Sequence, residues 1–468
     1  MSGNLNQFWI QGWRRYFHVT CQKKRPLVLG IESSCDDTGA AIVDESGHIL
    51  GDALYSQHLI HLNHGGIIPP IAKDLHIKYI NPIVSQALER AGVTPKDLSA
   101  IATTVKPGLP MSLMVGLLYG TKMAKEHNKP FIPIHHMQAH ALTVRMVEKV
   151  NFPFMVFLVS GGHCLLAVVK DVDEFYLLGN ELDDAPGEAL DKVARRLKLR
   201  NIPGYETLSG GGAIEKMAKL GDHLSIRFPV VMTQTLNCNF SFAGLKQRAQ
   251  EIIQEEEQKY GIVADEIIPT VANFCASFQY AVARHMIRRL ERALIYAEAK
   301  GFIPERPKSM VLSGGVACNE FIRDAVRQVC NKYDYELFCP PPKLCTDNGI
   351  MIAWNGMEKW IAGKGITKDI DSITVENKIL QHQEGAANIP NCLILHMTCA
   401  GYVGRSGTFV KRGFWSFLCG LYLLEASGVL HWYSEIVLGQ GIPICDLLWH
   451  LSQDADRLIT AGLISYPL

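Results

Sequence analysis

The chain has 468 residues, of which 48% are hydrophobic and 20% charged, enough for two or three domains with a sizeable core and ordinary for a soluble globular enzyme. Lys plus Arg and Asp plus Glu both number 46, so net charge gives no support to nucleic-acid binding and any basic surface has to be local. Thirteen cysteines without a CxxC pair fit a reducing compartment better than a disulfide framework or a zinc ribbon, and no 18 consecutive residues are apolar enough for a membrane span.

The first 31 residues contain no Asp or Glu but carry Arg14, Arg15, Lys23, Lys24 and Arg25, the first of them interleaved with Phe8, Trp9, Ile10, Trp13 and Phe17. A basic, acid-free, amphipathic start of this kind resembles a mitochondrial transit peptide, placed over residues 1–26; a disordered basic arm is the plainer alternative. From there, extended and helical patterns alternate. Residues 27–33 and 39–43 read as strands around the turn Ser34-Cys35-Asp36-Asp37, with a third strand near 53–57. A helix over 72–91, a buried strand over 100–105, a helix over 112–127, a short strand over 131–134 and a helix over 137–149 follow.

The same order then begins again. Residues 154–160 form an apolar run ending in Ser160-Gly161-Gly162-His163, strands are expected over 164–169 and 174–178, and a helix over 187–197. Two halves that open alike predict an internal duplication, with a ligand in the cleft between them. Residues 213–300 read as mostly helical, broken by a loop around 237–244, with 310–316 as a strand, 319–331 as a helix and 337–339 as a last short strand. Thr346 is expected to cap a final helix over 349–361. After residue 372 the character shifts, and the segment to 468 has few charges and no sustained period.

His136 and His140 stand four apart in His-Met-Gln-Ala-His, which on a helix puts both imidazoles on one face about 5–6 Å apart at Cβ. That suits two ligands of one metal ion, although ordinary surface or core histidines share the spacing. Met137 occupies the place where an HExxH protease needs its general base. Asp347, at a helix start, either supplies a third ligand or merely meets the helix dipole. Three turns suit a nucleotide: residues 33–37, residues 160–163 and the Ser313-Gly314-Gly315 turn leading to Asn319. Asp191 either faces the cleft or offsets a helix dipole. Two basic stripes, Lys192/Arg195/Arg196/Lys198 and Arg284/Arg288/Arg292 with His285 and Arg289, read as solvated helix faces or as contacts to RNA phosphates.

Together, Gly30-Ile-Glu-Ser-Ser-Cys-Asp-Asp-Thr38, Gly65-Gly-Ile-Ile-Pro69, Lys106-Pro-Gly108, His135-His-Met-Gln-Ala-His140, Leu158-Val-Ser-Gly-Gly-His163, Gly187-Glu-Ala-Leu-Asp-Lys-Val-Ala194, Asn239-Phe-Ser-Phe-Ala-Gly-Leu-Lys246, Ser313-Gly-Gly-Val316 and Cys345-Thr-Asp-Asn-Gly349 resemble the tRNA N6-adenosine threonylcarbamoyltransferase family, and most of all its mitochondrial branch. The resemblance runs from about residue 27 to 373. It implies an α/β, actin-like duplicated fold with lobes over 27–150 and 151–373, the second carrying a helical insert and a final helix that returns toward the cleft. The segment 374–468 is an atypical extension unlike the family's ending.

The resemblance further implies one divalent metal ion per subunit, zinc or iron, held by His136, His140 and Asp347. It implies an adenylate bound by Leu158, Val159, Ser160, Gly161, Gly162, Asp191, Gly211, Ser313, Gly314 and Asn319. The expected reaction moves a threonylcarbamoyl group from threonylcarbamoyl-AMP to N6 of the adenosine beside the anticodon of tRNAs reading ANN codons. A homodimer in the mitochondrial matrix, supplied by a separate threonylcarbamoyl-AMP synthase, is the expected setting. Gln138 stands where the family often has Glu, Pro70 where it often has Glu, and Asn239 where it has Asp. The rival readings are a phosphotransferase of the same fold and a non-catalytic nucleotide-binding scaffold.

Overall fold

The computed structural model describes residues 25–375. The basic leader and the atypical tail expected from the sequence fall almost wholly outside that range. No helix among the described residues is long and apolar enough to cross a membrane.

The first lobe opens with β1 (Leu27–Glu32), β2 (Asp37–Asp44) and β3 (Ile49–Ser56), then a short α1 (His58–Asn63) and the long α2 (Pro69–Ala91). Next come β4 (Ala100–Lys106), α3 (Pro110–Glu126), β5 (Phe131–His135) and α4 (His136–Leu142). The sheet order is β3-β2-β1-β4-β5, with the first three strands antiparallel and β1, β4 and β5 parallel. The apolar run of β1 and the β-branched and alanine-rich runs of β2 and β4 suit strands covered on both faces. Helices α2 and α3 cover one of those faces, and Leu29, Ile31, Ile42, Val84 and Leu117 are buried there.

The second lobe repeats the plan. It contains β6 (Phe154–Val159), β7 (Cys164–Val169), β8 (Phe175–Gly179), α5 (Pro186–Arg196), α6 (Gly210–Ala218), α7 (Ala243–Tyr260) and α8 (Val271–Ala299). It ends with β9 (Lys308–Ser313), α9 (Glu320–Lys332) and β10 (Tyr335–Phe338). The sheet order is β8-β7-β6-β9-β10, with the same pattern of antiparallel and parallel pairs as the first. Two sheets of identical order and sense make this the duplicated, actin-like α/β architecture expected from the motifs.

A short α10 (Pro342–Cys345) and α11 (Gly349–Ala362) finish the described chain. Helix α11 returns to the first lobe and lies across β1, β2 and β4, closing the face left bare by α2 and α3. Contact there is backbone on backbone. A Cβ at Gly30 would lie 2.5 Å from the Gly349 carbonyl oxygen and closer still to the Ala353 nitrogen, and one at Gly349 would lie 2.5 Å from the Ala40 backbone. The helix starts at Asn348, whose side-chain oxygen accepts the Met351 N–H at 2.9 Å, and stops at Gly363 in the left-handed conformation. Asn348, not Thr346, is therefore the cap; the Thr346 carbonyl accepts from the Asn348 side chain instead.

Three other expectations are corrected. The helix read over 137–149 stops at Leu142 and continues as a 3-10 turn over Thr143–Met146, because the Leu142 carbonyl accepts the indole N–H of Trp354 at 3.1 Å. The break in the helical region is wider than the loop read around 237–244: residues 219–242 are not helical, and buried Arg289 holds part of that segment by donating to the carbonyls of Met232, Thr235 and Asn237. The strand read over 310–316 ends at Ser313, and a 3-10 turn over Gly315–Cys318 follows.

The α11 seam yields a prediction. Gly30→Ala should cost about 1–3 kcal/mol or more, because rigid backbone on both sides cannot yield. Gly315→Ala, where a Cβ meets nothing within 4 Å, should leave the urea midpoint in place. Equal midpoints for both variants would contradict this packing.

Candidate metal centre and nucleotide cleft

Helix α4 lies between the two sheets. Met137, Ala141 and Leu142 pack into the second lobe's core and Ala139 into the first lobe's, beside α11. With those positions committed to cores, the remaining stripe, His136 and His140, faces the loop between α10 and α11. The two rings meet edge to face with centroids 4.7 Å apart. The Nε2 atoms of both point at one oxygen, Oδ1 of Asp347, at 3.4 Å from His136 and 3.1 Å from His140. The donor atoms of the three residues lie within 4.8 Å of one another. Asp347 thus lies beside both histidines, one residue before Asn348, which caps α11.

The outer partners are in place too. Nδ1 of His136 is 3.3 Å from Oε2 of Glu32 and 3.2 Å from Oγ of Ser34. Glu32 is fully buried and fixed by the Ser34 N–H at 2.6 Å and the Thr104 hydroxyl at 2.5 Å. This carboxylate–histidine pair aims Nε2 inward, as a ligand histidine requires. Nδ1 of His140 is buried with no hydrogen-bond partner among the described residues.

The electrostatics suit a cation. Burial opposes ionisation of Glu32 and Asp347, yet the adjacent His136 holds both carboxyls below their ordinary range. Burial likewise opposes charge on His136, but Asp347 and Glu32 outweigh it and push the imidazole up to about 10. A proton there supplies the positive charge that the acids demand. Around this centre, burial and then the Asp347 charge raise Asp36, while burial above all pushes Asp37 up to about 7. Two imidazole nitrogens and one carboxylate oxygen on one point form a donor set that fits a borderline divalent ion.

The glycine turns sit at strand ends of the second lobe. Ser160 N–H donates to the His163 carbonyl at 2.8 Å and the Ser160 hydroxyl accepts the His163 N–H at 3.0 Å. Gly161 and Gly162 are exposed, and a Cβ on either would meet nothing within 4 Å, so packing does not require glycine at these two positions. Bare backbone beside open space is what a phosphate needs. Burial and the His136 charge push His163, which closes this turn, down to about 4. Gly314 has φ 100° and its Cβ would strike the Val159 carbonyl region, so the second turn packs against the end of β6. Ser313 offers a buried hydroxyl without a partner among the described residues.

Other expected contacts look different in space. The side chains of Leu158 and Val159 are core residues, leaving only their backbone near the cleft. Asp191 accepts the Gly211 N–H through Oδ1 at 3.1 Å, so the two expected residues meet each other. Asn319 is largely committed within the protein, capping α9 through the Ile322 N–H at 3.0 Å and donating to Gln279 at 2.8 Å. Of the stripe Arg284, Arg288 and Arg292 with its neighbour Arg289, three residues donate to the carbonyls of residues 228–237, namely Arg284, Arg289 and Arg292, while Arg288 is half-buried and takes no part. Glu32 and His163 were not singled out as individual site residues in the sequence. Their signal was a lone carboxylate ending an apolar strand and a histidine closing a glycine turn.

Glu32→Gln keeps the shape of the outer contact but removes its charge, so metal affinity should fall by about 10–100-fold. His140→Ala should abolish binding. Elemental analysis and chelator competition read both, and wild-type retention in Glu32→Gln would sink the outer-partner role.

The sequence profile of the tRNA N6-adenosine threonylcarbamoyltransferase family matches residues 48–354. A mitochondrial tRNA N6-adenosine threonylcarbamoyltransferase from Danio rerio is 50% identical over 369 residues, covering 79% of this chain and 91% of that protein. The mitochondrial protein of that name from Homo sapiens is 50% identical over 362 residues, 77% of this chain and 87% of its own length. A tRNA N6-adenosine threonylcarbamoyltransferase from Rhizobium meliloti is 39% identical over 340 residues, 72% and 90% of the two chains. Motifs, duplicated fold and relatives agree, and the chain belongs to the tRNA N6-adenosine threonylcarbamoyltransferase family.

Proposed function

We propose that this transferase moves the threonylcarbamoyl group of threonylcarbamoyl-AMP to the exocyclic N6 amine of the adenosine beside the anticodon in tRNAs reading ANN codons. The carrying observation is the convergence of His136, His140 and Asp347 next to the open Ser160-Gly161-Gly162 turn in the cleft of a family member. A mitochondrial setting follows from relatives of that name at 50% identity over most of the chain; the matrix is the compartment in which its tRNA would be met. Residues 27–150 and 151–373 are read as the two lobes, 1–26 as the leader and 374–468 as an added tail.

His136, His140 and Asp347 would hold one zinc or iron ion, which when bound supplies Lewis acidity and fixed positive charge. The chain's own groups do the rest. Backbone of Ser160, Gly161 and Gly162 receives the donor's phosphate, and the Ser313 hydroxyl and Gly314 turn line the same strand ends. Asp191, anchored by the Gly211 N–H, holds a polar group of the adenylate. The amine nitrogen forms a bond to the carbamoyl carbon as the carbon–oxygen bond to phosphate breaks. AMP leaves with that electron pair, and the amine proton passes to solvent. Orientation and charge stabilisation carry the rate.

The chain is also read as a homodimer fed by a separate threonylcarbamoyl-AMP synthase. Met111, Met114 and Leu118 are 41%, 39% and 61% exposed on α3. At i, i+3 and i+7 they form one apolar stripe, suited to a self-complementary contact. Leu118→Glu should turn a dimer into a monomer by light scattering; a wild-type monomer would remove the proposal.

The reaction is tested by nucleoside mass spectrometry on unmodified tRNA incubated with the protein, threonine, bicarbonate, ATP and an adenylate-forming synthase. Threonylcarbamoyladenosine should appear with wild type and vanish with His136→Ala and Asp347→Ala. Product persisting in both variants would refute the site. A wild type that binds AMP but makes no product would favour a scaffold.

A further inference from the structure

The stripe Lys192, Arg195, Arg196 and Lys198 does not lie on a plain solvated face. Together with Lys246 and Gln250 of α7 it lines a groove between α5 and α7. Its cations are ordered by acids that serve two of them at once. Asp184 takes Lys192 at 2.9 Å and also Lys246. Glu257 takes Arg196 through both guanidinium nitrogens, at 2.6 and 2.5 Å, and Lys198 at 3.2 Å. Glu188 reaches Lys192 at 2.7 Å. With Arg195 the groove holds five cations against three acids, a local positive excess on a chain whose formal net charge is zero. Arg195 is exposed and has no ion-pair partner among the described residues. The other basic stripe, on α8, is largely committed to loop carbonyls.

Position gives the groove its meaning. Helix α5 starts on the glycine turn, the Gly187 and Glu188 N–H groups donating to the carbonyls of Ser160 and Gly161 at 3.3 and 3.1 Å, and Asp191, one turn further on, accepts the Gly211 N–H. Arg195 follows it by four residues, so it stands one turn, about 5–6 Å, further along the same face. A strand whose adenine reaches the cleft has to carry its neighbouring phosphates outward over such a turn. The residues are half-buried or exposed, come from two neighbouring segments and line an open groove, which suits a polyanion whose charge is spread over several phosphates rather than a single small anion.

We infer that the α5–α7 groove carries the sugar-phosphate backbone of the tRNA next to its acceptor adenosine, with Arg195 as the principal phosphate contact. This rests on the reading that the chain acts on tRNA. Lys192, Lys246, Arg196 and Lys198, held by Asp184 and Glu257, fix the track's direction, and Gln250 adds a neutral hydrogen-bonding group.

The test measures binding of unmodified tRNA to the full chain by fluorescence anisotropy across a salt series, for wild type, Arg195→Ala, Arg195→Glu and Arg195→Lys. Arg195→Ala should weaken tRNA several-fold and flatten the slope of log affinity against log salt by about 1. Arg195→Glu should weaken it further, and Arg195→Lys should restore the slope. AMP affinity, metal content and melting temperature should match wild type in all three. Unchanged tRNA affinity and slope in Arg195→Glu, in a wild type that modifies tRNA, would overturn the groove alone. A wild type that neither binds nor modifies tRNA would instead bring down the function on which the inference rests.

Discussion

The structure turns on one constraint: a seven-residue helix must satisfy two cores at once. Helix α4 gives Met137 and Ala141 to one lobe and Ala139 to the other, so its rotation about its own axis is fixed. What is left facing the cleft is the pair His136 and His140. The partner, Asp347, is 207 residues from His140 in sequence, a separation whose closure cost is met by burial of α11 rather than by the ligands themselves. The convergence of these three side chains is a by-product of packing geometry.

Charge completes what packing begins. Buried carboxylates are costly unless paired, and Glu32 and Asp347 flank His136 from opposite ring nitrogens. The centre thus calls for positive charge, carried by a proton or by an ion. The turn over residues 160–163 leaves its glycines uncovered. A site with surplus acid at the centre and bare amides beside it can accommodate a cation and an anion together, which is what the proposed reaction asks of it.

Much of this was legible in the letters. Strand-turn-strand order repeated at residues 27 and 154, and the duplicated sheets follow it. The spacing of His136 and His140 put them on one face. What could not be read was set by distant contacts. The end of α4 depends on the Trp354 indole, and the cap of α11 fell to Asn348 although Thr346 is an equally good capping residue by type. The arginines on α8 looked like a surface stripe because their pattern is periodic. Their burial depends on a loop some fifty residues earlier folding back on them. Leu158 and Val159 belonged to the expected adenylate contacts, but strand alternation sends one to each face of a sheet that is covered on both sides.

The return of α11 to the first lobe also orders events in time. The face of β1 and β2 that Gly30 and Gly39 keep flat has no cover of its own until residues 349–362 exist. A nascent or newly imported chain therefore holds an unfinished N-terminal half, with a bare apolar surface, throughout production of the second. The last helix to arrive closes that surface and delivers Asp347 in the same movement. Maturation of the cleft is thus coupled to completion of the fold, and truncated or stalled chains hold the histidines without the acid that joins them.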